Sequence, residues 1–358
     1  MDPTRRALTA LRLSAQRIAS PGALTTPGDV VRWMLALQSQ DFPGARWSIS
    51  LRTPHATAAD VDAALASGDI VRSWPLRGTL HIVPAEDLGW MLDIAVARQA
   101  TTAAKRRADL GISDDELARA GDIARELLAG RAVLRRDALL AAWEERGIPT
   151  TGQRAYHFLW NLGHAKVIVF GPHDDKQPTF ALFDDWITTH RDLSRDEALA
   201  ELATRYFRSH GPATERDFAW WASITLGDAR KGISEATGLE AREFGGILHH
   251  LAEGLEPAGP GVFALPGFDE YLLGYQDRSA ALAAEFSQRI VPGNNGIFLP
   301  TVVVDGEVVG TWKRTDSARR VVVDLSEFAP MTKKGHAGFE RALRRYGDFA
   351  GKPVELRA

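Results

Sequence analysis

Cysteine is absent from this chain of 358 residues. Its absence excludes disulfide bonds, thiolate metal sites, cysteine-ligated iron–sulfur clusters and a cysteine nucleophile. Long apolar runs are missing as well, since no stretch reaches the roughly 18 residues of a membrane span. The first residues also lack the apolar segment of a signal peptide. We therefore expect a cytoplasmic protein that has no membrane partner.

A strong excess of charge of one sign is also lacking, because the net charge is −3. This balance argues against a protein that binds nucleic acid through overall positive charge. The charge is uneven along the chain, however. Residues 1–170 contain slightly more Lys and Arg than Asp and Glu, whereas residues 171–358 contain fewer. The N-terminal half is therefore compatible with a local basic groove.

Several catalytic and cofactor motifs are missing too. The chain contains no HExxH, no GxSxG, no phosphate-binding glycine loop and no dinucleotide fingerprint. His249 and His250 have no partner at the spacing of a metal site. We expect neither a metal nor a cofactor.

What is present is a recurring order of amphipathic helices followed by a short β-hairpin. In the first segment, the pattern predicts helices over 27–37, 43–51 and 57–66. Strands over 70–74 and 79–83 follow, with a turn between them. Three helices and a hairpin in this order are typical of a winged helix.

The same order recurs further along the chain. A second set of helices includes one that Ser113 caps, with Glu116 at the capping-box position, and one over 134–146. The set ends with a predicted recognition helix over 153–164, followed by a hairpin with strands over 166–170 and 179–183. Near the C-terminus, Asp305-Gly306 lies between two β-branched runs, which is a strong hairpin signal. We predict an α+β fold, mainly α, in four segments: winged helices over 1–84, 85–190 and 191–275, and a C-terminal β-hairpin and helix element over 276–358 that packs on the third winged helix.

One polar segment has no obvious role in packing. Gln38, Ser39, Gln40 and Asp41 bring two amides and a carboxylate together at the end of a helix-like run. By itself such a segment is more often a set of polar surface residues than a site.

Residues 10–350 resemble the AlkZ/YcaQ-type family of tandem winged-helix proteins. The resemblance is carried by short stretches in a specific order: 37–41 (LQSQD), 77–84 (RGTLHIVP), 265–275 (LPGFDEYLLGY), 292–296 (PGNNG) and 310–312 (GTW). It implies three winged helices arranged as a C around a channel for double-stranded DNA. It also implies a cofactor-independent DNA glycosylase for alkylated bases, interstrand crosslinks included.

In the glycosylase members, a Gln-x-Gln or Gln-x-Asp motif carries the chemistry. The motif falls here on Gln38 and Gln40, and Ser39 stands where the family usually has an apolar residue. Asp41 is a further catalytic candidate that supplies a carboxylate, or it caps the next helix.

The chemistry of N7-alkylated purines explains why two amides suffice. Cleavage of the N-glycosidic bond passes through an oxocarbenium-like state, for which most glycosidases need a carboxylic acid. An N7-alkylated purine is already a cationic leaving group and needs no such acid. An amide oxygen accepts a hydrogen bond from the attacking water, and an amide NH₂ orients it. Because glutamine is a poor proton acceptor, we expect little activity on neutral lesions such as uracil.

Candidates for DNA contacts lie on the predicted wings and recognition helices. For Arg72 and Arg77, a solvated wing face is the alternative to a phosphate contact. His81 is placed, with Pro84, on a hairpin of the kind that probes DNA in the family, or it is a satisfied half-buried histidine. The full set of candidates is Arg46, Arg72, Arg77, His81, Arg154, His157 and Asn161.

A second group of charges follows the LPGFDEY stretch. Asp269, Glu270, Asp277 and Arg278 lie near each other in the sequence. Such carboxylates could hold Mg²⁺ or act as a base, but an internal ion-pair network is the more usual arrangement.

We expect a monomeric DNA glycosylase that is nucleoid-associated when bound to DNA. One alternative is a non-catalytic transcriptional regulator, which at this size would dimerise on a palindromic site. Another is a winged-helix scaffold that binds protein.

Overall fold

A computed structural model describes residues 2–20, 22, 24–174 and 177–357. The fold is α+β. The α-helices are α1 (Pro3–Ala15), α2 (Pro27–Met34), α3 (Phe42–Ser50), α4 (Ala58–Ser67), α5 (Leu88–Asp109), α6 (Asp114–Leu128), α7 (Arg136–Glu145), α8 (Arg154–His164), α9 (Phe183–Trp186), α10 (Arg195–His210), α11 (Glu215–Ala222), α12 (Leu226–Glu235), α13 (Glu270–Leu273), α14 (Ser287–Ile290) and α15 (Lys333–Ala350).

The strands and short 3₁₀ turns lie between these helices. The strands are β1 (Leu37–Gln38), β2 (Ile70–Leu76), β3 (Thr79–Pro84), β4 (Leu134–Arg135), β5 (Ile168–Phe170), β6 (Thr179–Leu182), β7 (Leu239–Phe244), β8 (Ile247–Ala252), β9 (Val262–Leu265), β10 (Thr301–Val304), β11 (Glu307–Asp316), β12 (Val321–Glu327) and β13 (Val354–Arg357). The 3₁₀ helices are Ala85–Asp87, Ala284–Phe286 and Pro292–Asn294.

Two compact units divide the chain. The first combines residues 1–61 with residues 199–358, and the second is residues 62–198. The finer division into three winged helices and a C-terminal element stays a prediction.

The first unit contains a sheet in the order β13-β12-β11-β10-β9. The predicted Asp305-Gly306 hairpin is confirmed, since Val304 pairs with Glu307 and both turn residues have positive φ, 49° and 86°. The parallel strand β13 was not predicted. It pairs with β12 after the chain has passed through α15, and parallel strands have no connecting turn that could be recognised in the sequence.

Aromatic rings from a helix, a strand and the C-terminal helix pack together in the core of the first unit. The ring of Tyr346, on α15, lies edge-on to those of Trp47 and Trp312, with centroids 5.2 and 5.5 Å away. Both indole N–H groups are satisfied in the buried core, because Trp47 donates to the Ala264 carbonyl and Trp312 to the Leu265 carbonyl, each at 2.8 Å. Helix α15 is therefore fixed against strand β9 and helix α3.

The hairpin β7–β8 belongs to the first unit and was also missed. Phe244 pairs with Ile247 across Gly245 and Gly246, both of which have positive φ. A Gly-Gly pair between strand-like runs is a recognised hairpin signal that could have identified it.

The second unit contains strands in the order β3-β2-β5-β6-β4 within one sheet. The two predicted hairpins are present as β2–β3 and β5–β6. In the first, the loop is only Arg77-Gly78, with φ of 53° and 67°. The loop of the second includes residues 175 and 176, which lie outside the described residues.

Local capping signals correspond to observed helix ends. At α6, Ser113 accepts a hydrogen bond from the Glu116 amide, while the Glu116 carboxylate accepts one from the Ser113 amide. The helix predicted over 134–146 instead starts at Arg136, because Leu134 pairs with Phe180 in the sheet. Among the described residues, no helix is both long enough and apolar enough to cross a membrane.

Candidate functional site

The Gln38-Ser39-Gln40 segment is a short extended stretch between two helices. Helix α2 ends at Met34, because the next residue, Leu35, has a φ of 64° that does not continue a right-handed helix. Gln38 and Ser39 are buried, whereas Gln40 is exposed. The backbone N–H of Gln38 donates to Glu270 Oε1 at 3.2 Å. The backbone of the segment is therefore held inside the first unit at Gln38, whereas the side-chain amide of Gln40 lies on the surface.

Glu270 is a fully buried carboxylate. Its second oxygen, Oε2, accepts a hydrogen bond from the Trp221 indole N–H at 2.9 Å. His210 Nε2 lies 3.5 Å from the same oxygen. Burial lowers the pKa of His210 from its usual range, which favours the neutral imidazole. Glu270 thus connects the glutamine segment to α10 and α11.

Asp269 forms an ion pair with Arg52 that is also buried. The Arg52 guanidinium donates to both carboxylate oxygens at 2.9 Å. It also donates to the Gln16 carbonyl, to the Gln16 side-chain oxygen and to Ser48. The predicted internal ion pair is confirmed for Asp269, whereas Glu270 is held by the N–H donors of Gln38 and Trp221.

Asp277 and Arg278 lie at the edge of this network. Asp277 is exposed and accepts a hydrogen bond from the Ser279 amide at 2.8 Å. Arg278 donates to the Leu272 carbonyl at 2.9 Å and lies over the rings of Trp220 and Phe298.

Asp41 occupies the N-cap position of α3, but its side chain makes no capping hydrogen bond. The capping alternative is therefore wrong. The carboxylate instead pairs with Arg314, on β11, at 3.4 Å. Glycine at position 44 leaves room for this carboxylate, because a Cβ atom there would lie only 2.5 Å from Asp41 Oδ2. The pair borders a cavity of about 690 Å³ between Asp41 and strands β11 and β12.

Arg46 is half-buried on α3. Its guanidinium donates to the Ala58 carbonyl at 3.2 Å and lies 5.7 Å from the ring centre of Phe42. It thus contacts the first turn of α4.

Three of the remaining candidates are on the β2–β3 hairpin of the second unit. Arg72 is 8% exposed and lies over the Phe170 ring, and burial lowers its pKa to about 10. His81 is fully buried, its Nδ1 lying 2.9 Å from the Thr79 carbonyl and its Nε2 3.2 Å from Arg77 Nη2. Because a carbonyl only accepts, Nδ1 carries the proton and Nε2 accepts from Arg77. This geometry favours the satisfied histidine over a DNA contact for His81.

The other three are on α8. Arg154 donates to the carbonyls of Leu110 and Gly111 at 2.8 Å each, and to the Glu116 carboxylate at 2.8 Å. This engagement favours a structural role for Arg154.

Asn161 is 8% exposed and accepts a hydrogen bond from Arg107 at 3.0 Å. His157, half-buried, provides the carbonyl to which the Asn161 amide donates at 2.6 Å. Burial, and secondarily the charge of Arg106, lowers the pKa of His157. Arg106 itself donates to Gln153. Of the candidates on α8, Arg154 and His157 are half-buried and Asn161 is buried.

Within the described ranges, no three His, Asp or Glu side chains lie close enough together to hold a metal ion. His249 makes a contact to its own strand instead, with Nδ1 2.9 Å from the Ile247 carbonyl.

Comparisons with known proteins agree on one family. Residues 31–349 match the family described as "DNA glycosylase AlkZ-like". A relative from Streptomyces sahachiroi, named "Interstrand DNA cross-link repair glycosylase", is 26% identical over 342 residues, covering 88% of this chain and 89% of the relative. The solved structure of the Streptomyces sahachiroi DNA glycosylase AlkZ is 22% identical and superposes over the whole of both chains with a TM-score of 0.80.

Proposed function

Because this chain belongs to the AlkZ-like DNA glycosylase family, we propose that Gln38 and Gln40 position the water with which it hydrolyses the N-glycosidic bond of N7-alkylated purines. The regulator hypothesis is not favoured, since the family and the curated relative are both named as glycosylases.

One observation carries the assignment to the glutamines. The Gln38 backbone is held by a buried carboxylate at 3.2 Å, and the neighbouring Ser39 is fully buried. A catalytic amide must hold its water within a few tenths of an ångström of the productive position, so a rigid backbone is what this role requires. An ordinary surface segment has no need of it.

The reaction needs little more from the protein. The cationic base leaves with the bonding electrons of the glycosidic bond and becomes neutral, and water adds to the sugar at C1′ and releases one proton to solvent. The amide oxygens accept hydrogen bonds from that water and orient its lone pair. Asp41 is close in sequence and pairs with Arg314 at 3.4 Å, and its side chain is the proposed electrostatic partner for positive charge on the sugar.

The substrate is proposed to be double-stranded DNA, bound by a monomer. The name of the Streptomyces relative extends the candidate lesions to interstrand crosslinks. We further propose the arrangement that the family resemblance implies, with three winged helices forming a C around the duplex. Arg46, Arg77 and His157 remain the proposed phosphate contacts, whereas Arg72, His81, Arg154 and Asn161 serve mainly to shape these elements.

The experiment that tests this function is base release from duplex DNA that contains N7-methylguanine. We expect release by the wild type and a loss of about 10²-fold or more in Gln38→Ala/Gln40→Ala, since two positioning groups are removed. DNA affinity should be retained. A uracil-containing duplex is the matched substrate control and should not be cleaved.

Two results would contradict the proposal. Equal release by wild type and double variant would place the chemistry outside the glutamines, and Asp41→Asn would be tested next. Tight binding without release from any alkylated duplex or crosslink would favour the regulator.

A further inference from the structure

The buried carboxylate of Glu270 accepts a hydrogen bond from the backbone of the glutamine segment, at Gln38. We propose that Glu270 is a positioning residue for the glycosylase reaction, which fixes the backbone at Gln38 and thereby the amide that orients the water. The inference rests on the proposed function, because it takes Gln38 as catalytic.

Two N–H donors from distant parts of the first unit converge on Glu270. The Gln38 amide donates to Oε1 at 3.2 Å, and the Trp221 indole donates to Oε2 at 2.9 Å. A carboxylate accepts at both oxygens, whereas an amide of the same shape accepts at one and donates at the other. Because Glu270 is 0% exposed, an N–H group that loses its acceptor there cannot form a hydrogen bond to water instead, and the unpaired N–H destabilises the fold.

The surroundings make Glu270 a rigid support. The neighbouring Asp269 is held by Arg52 at 2.9 Å through both oxygens. The Glu270 carbonyl accepts a hydrogen bond from the Gln16 side chain at 3.1 Å, so its backbone is fixed as well. The Trp221 ring packs against Tyr206, with ring centres 5.0 Å apart. Movement of the Gln38 backbone therefore requires movement of a packed core.

The geometry leads to a specific rescue. In Glu270→Gln, one end of the new amide faces an N–H group in either orientation, so one of the two contacts is repulsive. Removal of the indole N–H by Trp221→Phe lets the amide oxygen turn to Gln38. The amide NH₂ then faces His210, whose neutral imidazole can present Nε2 as an acceptor. The double variant should therefore restore the contact that the single variant loses.

Asp217→Asn provides a matched control. Asp217 is another buried carboxylate of the first unit, 2% exposed. It accepts from the backbone amides of Gln276 and Asp277 at 2.9 and 3.1 Å, and not from Gln38. Its loss should lower stability without reaching the glutamine segment.

The experiment compares Glu270→Gln, Trp221→Phe, the double variant and Asp217→Asn as full chains. Hydrogen–deuterium exchange of the peptide that contains Gln38 measures the backbone contact without reference to activity. Single-turnover base release from N7-methylguanine duplex measures its consequence, with DNA affinity determined alongside. We expect Glu270→Gln to exchange faster at Gln38 and to release base about 10- to 100-fold more slowly, at unchanged DNA affinity. The double variant should exchange at Gln38 and release base at rates close to those of Trp221→Phe alone.

The positioning role is overturned if Glu270→Gln leaves exchange at Gln38 unchanged. It is also overturned if Asp217→Asn produces the same changes, or if the double variant is no better than the single one. Failure of the wild type to release base would count against the proposed function alone, since the exchange measurement still decides whether Glu270 holds Gln38.

Discussion

At the scale of single residues, the first unit depends on a buried cation with full hydrogen bonding. The side chains of Arg52 and Asp269 are 0% and 3% exposed. Burial of such a charge is costly unless every donor finds an acceptor, and the guanidinium finds them in Asp269, Gln16 and Ser48. The pair ties the turn that follows α3 to the loop that precedes α13 and supports the neighbouring Glu270.

Removal of this cation should be far more damaging than removal of a surface one. Arg52→Met leaves the Asp269 carboxylate buried without its counter-charge, and we expect a loss of about 3–5 kcal/mol in the free energy of unfolding. Denaturant unfolding measures it. Arg230→Met is the matched control, because Arg230 pairs with Glu215 but is 63% exposed, and its loss should have little effect. Equal effects of the two substitutions would contradict the argument.

Residue-scale chemistry was only partly predictable. The Gln-x-Gln motif is visible in the sequence, and so is the charged cluster at Asp269 and Glu270. That Glu270 contacts the Gln38 amide could not be read from the sequence, because 232 positions separate the two residues. For His81, the strand position already favours a satisfied histidine over a DNA contact, and the structure adds that the side chain is fully rather than half buried, which the strand register decides.

At the scale of elements, helix ends and turns follow local chemistry. The capping box at α6 uses Ser113 and Glu116, and the two-residue loops at Arg77-Gly78 and Asp305-Gly306 use residues that adopt positive φ. Errors occurred where a distant strand overrides a local preference, as at Leu134, which pairs with Phe180 instead of starting a helix.

The α6 cap should make stability depend on pH. The hydrogen bond from the Ser113 amide, followed by the charge of Arg154, lowers the pKa of Glu116 from its usual value of 4.5. The unfolded chain therefore binds this proton more tightly than the folded one, so the contribution is present above pH 4.5 and is lost as the pH falls through the lower folded pKa.

Glu116→Gln isolates this contribution. We expect the variant to be less stable than the wild type at pH 7, and the difference to shrink towards pH 3, as measured by denaturant unfolding across this range. Asp122→Asn, which removes an exposed partner of Arg125 on the same helix, is the control and should have little effect. A Glu116→Gln difference that stays constant with pH would contradict the cap assignment.

At the scale of the whole molecule, the N-terminal and C-terminal parts of the chain fold together into one unit. The first unit is built from both ends, and Arg12 of α1 donates to the Pro212 carbonyl at 3.0 Å. The second unit is one continuous stretch between them. A deletion at either end of the chain therefore affects the unit that contains the glutamine motif.

The proposed DNA complex predicts how affinity responds to salt. A monomer that contacts several phosphates should bind duplexes of any sequence, with log affinity falling against log salt by about 0.9 per phosphate contacted. Arg77→Ala should reduce this slope by about one if the side chain contacts a phosphate. Binding titrations and sedimentation equilibrium test this. A dimer on a palindromic site would contradict the monomeric glycosylase.

By itself, the sequence determined the features that depend on neighbours within a few residues: hairpins with Asp-Gly or Arg-Gly turns, helix caps, the α+β class and the position of the glutamine motif. Only the tertiary structure decided which distant segments meet. It combined residues 1–61 with 199–358, added β13 to the sheet, and brought Glu270 to Gln38. The physical reason is that turns and caps are satisfied by local hydrogen bonds, whereas buried charges and parallel strands take their partners from wherever the packed chain supplies them.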